Sequence, residues 1–201
     1  LKFNKLQYQQ DAINTIMKVI SGTYAVNTND GYSNPKLEFN EVNLCSLITH
    51  TQKESCLDKV SNFEYKAEAG LNLDIMMETG TGKTITFIET MYRLNQGYNI
   101  SKFIVIVPSN AIRSGTIKNI AITKEYFKEY NKNISVFDSN NVYGFIHSSN
   151  QNINVLITTF QAFNKSSNTI HKNNIEQNLF GNATSYIDAI KNLRPIIIID
   201  E

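Results

Sequence analysis

The residues best equipped for chemistry lie in Thr79-Gly80-Thr81-Gly82-Lys83-Thr84. Glycines let a backbone curl until successive N–H groups converge on a phosphate, and a helix starting there adds the positive end of its dipole. Lys83 is placed to reach the β- and γ-phosphates of a nucleotide, and the Thr84 hydroxyl to ligate Mg²⁺. Met77 occupies the place where the general pattern has its first glycine. A second group is the acidic pair Asp200-Glu201, directly after Ile196–Ile199. In a parallel sheet the carboxyl ends of the strands share one edge with such a loop. Asp200 is therefore expected to face the Mg²⁺ of a bound nucleotide, and Glu201 to lie near the γ-phosphate and activate a water. A helix-capping turn and an exposed acidic strand end are the plain structural alternatives. The two motifs together favour the nucleotide.

Such residues need elements to position them. Ile13, Ile16, Met17 and Ile20 recur at the spacing of one buried helix face, with Gly22 as its stop. From Thr23 to about Phe63 the pattern is lost among Asn, Ser, Asp and Gly, with weak helical hints at Val42–Ile48. Leu73–Met77 is a short apolar run, predicted as the strand that leads into the glycine loop. Ile85, Ile88, Met91 and Leu94 predict the helix that follows, closed by Gly97. Phe103–Val107, Ile134–Phe137, Ile153–Thr158 and Ile196–Ile199 are strand candidates. Between them a helix carries Ile117, Ile120, Phe127 and Tyr130 on one side, and another covers Asp188–Leu193. Continuous Val/Ile strands alternating with helices predict a parallel sheet covered on both faces, an α/β fold.

Composition sets the bounds. The 201 residues fit one domain or one domain with a sizeable insertion, and 41% hydrophobic residues suffice for a core. A net charge of +1 excludes a polybasic chain that holds nucleic acid by bulk electrostatics, so any such contact is local. There is no apolar run long enough to span a membrane and no signal peptide at the start, so no membrane role is expected. Cys45 and Cys56 are too few for a disulfide framework or zinc site, even with His50 between them, and a cytoplasmic setting suits reduced thiols. Asn29-Asp30-Gly31 is no calcium loop, because Leu37 stands where the closing glutamate belongs. Lys124, Lys128 and Lys132, interleaved with Glu125 and Glu129, read as a solvated helix face rather than a DNA-tracking stripe. His147 and His171 read as surface residues. Both ends of the chain read as cuts in a longer polypeptide.

Five segments together resemble superfamily-two helicases and translocases, and closely resemble the ATPase subunit of type III restriction endonucleases. They are LQYQQDAI (Leu6–Ile13), METGTGKT (Met77–Thr84), VPSNAIRSG (Val107–Gly115), ITTFQAF (Ile157–Phe163) and IIIIDE (Ile196–Glu201). The resemblance covers nearly the whole chain. It implies a RecA-like P-loop lobe, the first of a two-lobed motor and incomplete at the acidic motif. Residues 1–69 would supply the adenine-recognition helix and an insertion, and residues 70–201 the ATPase lobe. Ser139–Asn152 and Asn164–Asn182 look like inserted loops. Ser114 stands where the family usually has an acidic residue.

By the same resemblance, Gln9 would read the adenine edge. Thr79, Gly80, Thr81, Gly82, Lys83 and Thr84 would hold ATP, Thr84 and Asp200 the Mg²⁺, and Lys83 and Glu201 would be catalytic. Pro108, Ser109, Arg113, Thr158 and Thr159 match motifs that touch the DNA backbone, although Ser109 also reads as a simple helix cap. The implied activity is ATP hydrolysis that drives translocation on double-stranded DNA, followed by DNA cleavage in concert with a methyltransferase subunit. A metal-dependent nuclease site would lie beyond this chain. The alternatives are a DNA-repair or other helicase of the same superfamily, and a fragment that binds nucleotide weakly without turnover.

Overall fold

The computed structural model describes residues 6–27, 30–55, 70–164 and 185–200. The chain divides into two compact units, Leu1–Val26 with Leu37–Thr90, and Asn27–Lys36 with Met91–Glu201.

The first unit is built on α1 (Gln7–Ile20) and α2 (Glu41–Glu54), with the short strands β1 (Thr23–Val26) and β2 (Lys36–Phe39) forming a two-stranded sheet. Val19 of α1 and Leu44 and Ile48 of α2 make a small core, against which Phe39, Leu71 and Leu73 pack. Helix α2 starts where the Asn40 side chain accepts the Asn43 N–H at 3.1 Å. Lys18 and Glu54 form an ion pair between the helices. The stretch after Thr23 is thus more regular than its sequence suggests. Helix α1 ends at Ile20 with Ser21 as its cap, whose N–H returns to the Met17 carbonyl, and the expected glycine, Gly22, follows directly. Leu73–Met77, expected as a strand, is not one here. Leu73 finds the small core, but Ile75 is 39% and Met76 92% exposed, and no described strand pairs with the run.

Helix α3 (Lys83–Tyr98) follows the glycine loop. Gly97 lies inside its last turn, and Asn99, at φ 55°, ends it instead. The Asn99 N–H returns to Asn95 O at 2.9 Å, the single bond of a simple left-handed helix cap, and the Ile100 N–H reaches Leu94 O at 3.5 Å.

The second unit is an α/β sheet in the RecA-like arrangement. Its four strands are β3 (Lys102–Val107), β4 (Ile134–Phe137), β5 (Ile153–Thr159) and β6 (Ile196–Ile199), in the order β4-β5-β3-β6 and all parallel. Strand β3 is buried along its whole length and β5 nearly so, which explains their largely apolar sequences, Phe103–Val107 and Val155–Ile157. On one face, Ile104, Ile106 and Leu156 pack against Val142, Phe145 and Ile146 of α5 (Val142–His147). Ala189, Ile190 and Leu193 of α7 (Tyr186–Leu193) complete that layer. Helix α4 (Asn110–Thr123) packs on β3 and β5, and the short α6 (Phe160–Asn164) follows β5. Among the described residues β6 is the outermost strand on its side, and one of its faces is open: Ile197 is 52% and Ile199 59% exposed.

Helix α4 stops at Thr123, short of Phe127 and Tyr130. Phe127 instead turns inward onto Tyr92, with ring centroids 5.1 Å apart. Lys124, Lys128 and Lys132 therefore do not share a helix face. Lys124 ends α4, Lys128 sits in a 3-10 turn, and Lys132 lies in a loop, donating to Gln151 O at 2.8 Å. The expected loop at Ser139–Asn152 contains α5, while most of the expected loop at Asn164–Asn182 lies outside the described residues.

Residues 30–35, part of the supposed insertion, fasten the amino-terminal ends of β3 and β6. Asn34 is buried and satisfied on all sides. Its Nδ2 donates to the carbonyls of Lys102 (2.8 Å) and Arg194 (2.9 Å), and its Oδ1 accepts the N–H groups of Ser101 and Lys102, both at 2.8 Å. Arg194 returns its Nε to Asn34 O at 2.9 Å and an Nη to Ser33 Oγ at 2.7 Å. Asp30 closes the turn by accepting from the Ser33 hydroxyl and from the N–H groups of Tyr32 and Ser33. Burial would raise the Asp30 carboxyl, but those hydrogen bonds and the Arg194 charge outweigh it and hold it below its ordinary value. Lys102, fully buried, donates its Nζ to Phe145 O at 2.9 Å and to Ser148 at the end of α5. Burial lowers its pKa to about 8 against the opposing pull of Asp30.

Candidate nucleotide and nucleic-acid sites

In the first unit, the loop from Thr79 to Thr84 is a tight turn running straight into α3. Gly80 (φ 82°) and Gly82 (φ 88°) both take conformations that side-chain-bearing residues rarely adopt. The Thr81 N–H and hydroxyl both return to Glu78 O, at 3.3 and 2.6 Å. Helix α3 opens with Lys83 and Thr84, and its first turn is closed by the Thr86 N–H on Gly82 O at 3.1 Å. Thr79 and Gly80 are exposed, while Thr81, Gly82, Lys83 and Thr84 are half-buried.

The start of α1 lies against this loop. Gln9, only 7% exposed, donates its Nε2 to Thr81 O at 2.8 Å, and Tyr8 donates its hydroxyl to the same carbonyl at 3.1 Å. A Cβ on Gly82 would push the Gln9 carboxamide aside, and the positive φ is what calls for glycine there. The next residue, Gln10, donates to the carboxylate of the buried Glu89 on α3 at 3.0 Å. Tyr8, Gln10 and Glu89 escaped the sequence reading. Their only signal was three consecutive hydrogen-bonding side chains, Tyr8-Gln9-Gln10, at the head of an amphipathic run.

In the second unit the carboxyl-terminal edge of the sheet collects the other candidates. Thr159 faces Val107 across the β5–β3 pairing, and Ile199 faces Ile106. Asp200 follows β6, its N–H bound to Ile106 O at 2.9 Å, and its side chain is partly exposed. Pro108 and Ser109 follow β3 and are exposed. Ser109 caps α4, accepting the Ile112 N–H at 3.3 Å. Arg113 lies one turn into α4, and its Nε is buried with no hydrogen-bond partner among the described residues. Thr159 caps α6 by accepting the Ala162 N–H at 3.3 Å. Thr158 is fully buried, so its side chain presents nothing to a strand of DNA in this structure. Glu201 lies outside the described residues.

Among the described residues no group of His, Cys, Asp or Glu forms a metal cluster. Cys45 is a half-buried free thiol, Cys56 lies outside the described residues, and His50 pairs with Glu54 at 3.1 Å. His147 is half-buried with its ring against Tyr143, and burial, helped by the Lys102 charge, lowers its pKa; His171 lies outside the described residues. No described helix is long and apolar enough to cross a membrane.

Residues 2–201 match the family described as type III restriction enzyme, res subunit. The chain belongs to that family. It is 30% identical to the EcoPI Res subunit of Escherichia phage P1 and 29% identical to the EcoP15I Res subunit of Escherichia coli, each over 98% of this chain. The StyLTI Res subunit of Salmonella typhimurium is 31% identical over 65% of the chain. The chain spans 22% of the length of the first two of these Res subunits and 15% of the third.

Proposed function

We propose that this chain is the nucleotide-binding lobe of an ATP-driven DNA motor that serves restriction. In this reading residues 1–69 supply the adenine-recognition helix and an insertion, and residues 70–201 the ATPase lobe. The carrying observation is the glycine loop, which turns through two left-handed glycines directly into α3 in a chain of the Res subunit family. A cup of backbone N–H groups at a helix start suits phosphate oxygens, and hydroxyl and carboxylate oxygens such as those of Thr84 and Asp200 suit Mg²⁺. That ion, when bound, would neutralise charge on the phosphates.

The chain's own groups then have distinct tasks. Thr79, Gly80, Thr81 and Gly82 cradle the phosphates, and Gln9 reads the adenine edge. Lys83 balances the charge that builds on the phosphate oxygens in the transition state, and Glu201 orients and deprotonates the attacking water. Arg113 and Thr159, with the backbone after Pro108 and the Ser109 hydroxyl, are the DNA-phosphate contacts. Arg113 is only partly buried, so its terminal guanidinium nitrogens, and not the buried Nε, are the part that would reach a phosphate, and the burial of Thr158 argues against a direct contact there. Duplex DNA and a methyltransferase subunit are the proposed partners of the whole protein, which would act in the cytoplasm.

The test is ATP binding and DNA-stimulated phosphate release, wild type against Lys83→Ala. Loss of a single charge stabiliser should lower the rate by about 10²–10³-fold. An unchanged rate in a protein that turns over ATP overturns the assignment. Measurable turnover by the 201-residue chain alone would separate a working ATPase from a module that only binds nucleotide.

A further inference from the structure

We propose that Tyr8 is a positioning residue of the phosphate loop, acting through the Thr81 carbonyl and independently of the base. This rests on the nucleotide reading above and goes beyond it, because it assigns a task to a residue outside the loop and outside the adenine contact. Tyr8 donates its hydroxyl to Thr81 O at 3.1 Å while Gln9 donates to the same oxygen at 2.8 Å. A carbonyl has two lone pairs, and here two side chains from the head of α1 engage them. The peptide between Thr81 and Gly82 is planar and trans, so its C=O and N–H point in opposite directions. Holding the carbonyl toward α1 therefore aims the Gly82 N–H away from α1.

That matters at this position. Gly82 sits at φ 88° and Gly80 at φ 82°, so the segment is bordered on both sides by residues with the widest backbone freedom in the chain. Left unanchored, the peptide between Thr81 and Gly82 could rotate and turn its carbonyl oxygen toward an anion. Two donors from a helix fix its sense. The helix is itself tied down by Gln10 on Glu89 at 3.0 Å, so the anchor is not a loose side chain on a loose element. Gln9 keeps its carboxamide oxygen for an exocyclic amine, whereas the single hydroxyl proton of Tyr8 is committed to the backbone. The two residues should accordingly fail differently when altered.

The experiment measures dissociation constants of ATP, GTP and inorganic tripolyphosphate for the 201-residue chain, comparing wild type, Tyr8→Phe and Lys83→Ala. Removing one hydroxyl while keeping the ring should weaken all three ligands by the same factor, roughly threefold to tenfold. The thermal midpoint of the ligand-free protein should not move. Unchanged affinity in Tyr8→Phe overturns the proposal. So does a loss confined to ATP, which would place the ring at the base, and so does a fall in the ligand-free midpoint that accounts for the weakened binding. If Lys83→Ala binds ATP as wild type does, the nucleotide reading fails and the role of Tyr8 falls with it. That result is distinguishable, because it appears without any change at Tyr8.

Discussion

Single residues in this chain are constrained from two directions at once, and Gly82 shows it best. Its φ of 88° disfavours any side chain, and the space a Cβ would need holds the Gln9 carboxamide. Gly82→Ala should cost about 1–2 kcal/mol from the backbone alone and also displace Gln9, so nucleotide affinity should fall together with the thermal midpoint. A variant that binds ATP normally would show that the loop does not need this geometry. Asp30 gives a pH-dependent counterpart. Its carboxyl is held below its ordinary value in the folded state, so the stability it contributes is complete above the unfolded value and is lost as pH falls through the folded one. The difference in denaturant midpoint between wild type and Asp30→Asn should therefore be constant near neutrality and shrink below about pH 4.

At the scale of elements, the most consequential piece is the turn at residues 30–35. Asn34→Ala would leave two buried N–H groups and two carbonyls without partners at the floor of the sheet. Each such group costs about 1–3 kcal/mol, so a loss of at least about 3 kcal/mol in chemical denaturation is expected. A loss below about 1 kcal/mol would mean that water replaces the amide. Nothing in the sequence could announce this, because the partners of Asn34 lie 68 and 160 residues away. The strands β3 and β5 were legible for the opposite reason: burial on both faces writes itself as a continuous apolar stretch, Phe103–Val107 and Val155–Ile157. Helix α2 was nearly invisible, since only Leu44, Ile48 and Thr51 of its fourteen residues are buried. The glycine loop was legible as chemistry, but its supposed leading strand at Leu73–Met77 was not found. An apolar run predicts burial, and a strand also needs a partner for its backbone.

For the molecule as a whole, the candidates fall into two groups that the sequence could only order along the chain. Gln9 meets Thr81 and Gly82 in one unit, and Asp200, Ser109 and Thr159 share the carboxyl edge of the sheet in the other. If Arg113 holds a DNA phosphate, Arg113→Ala should weaken duplex binding about equally for all sequences and flatten its salt dependence by about one charge. A binding curve with unaltered salt slope would remove that arginine from the interface. The outer rim of β6 carries a practical consequence. Among the described residues no strand pairs with the outer side of β6, and Ile197 and Ile199 are more than half exposed, a combination on which copies can zip together. Concentrated preparations of this polypeptide should grow in light-scattering mass, and a lysine introduced by Ile197→Lys should keep them in solution.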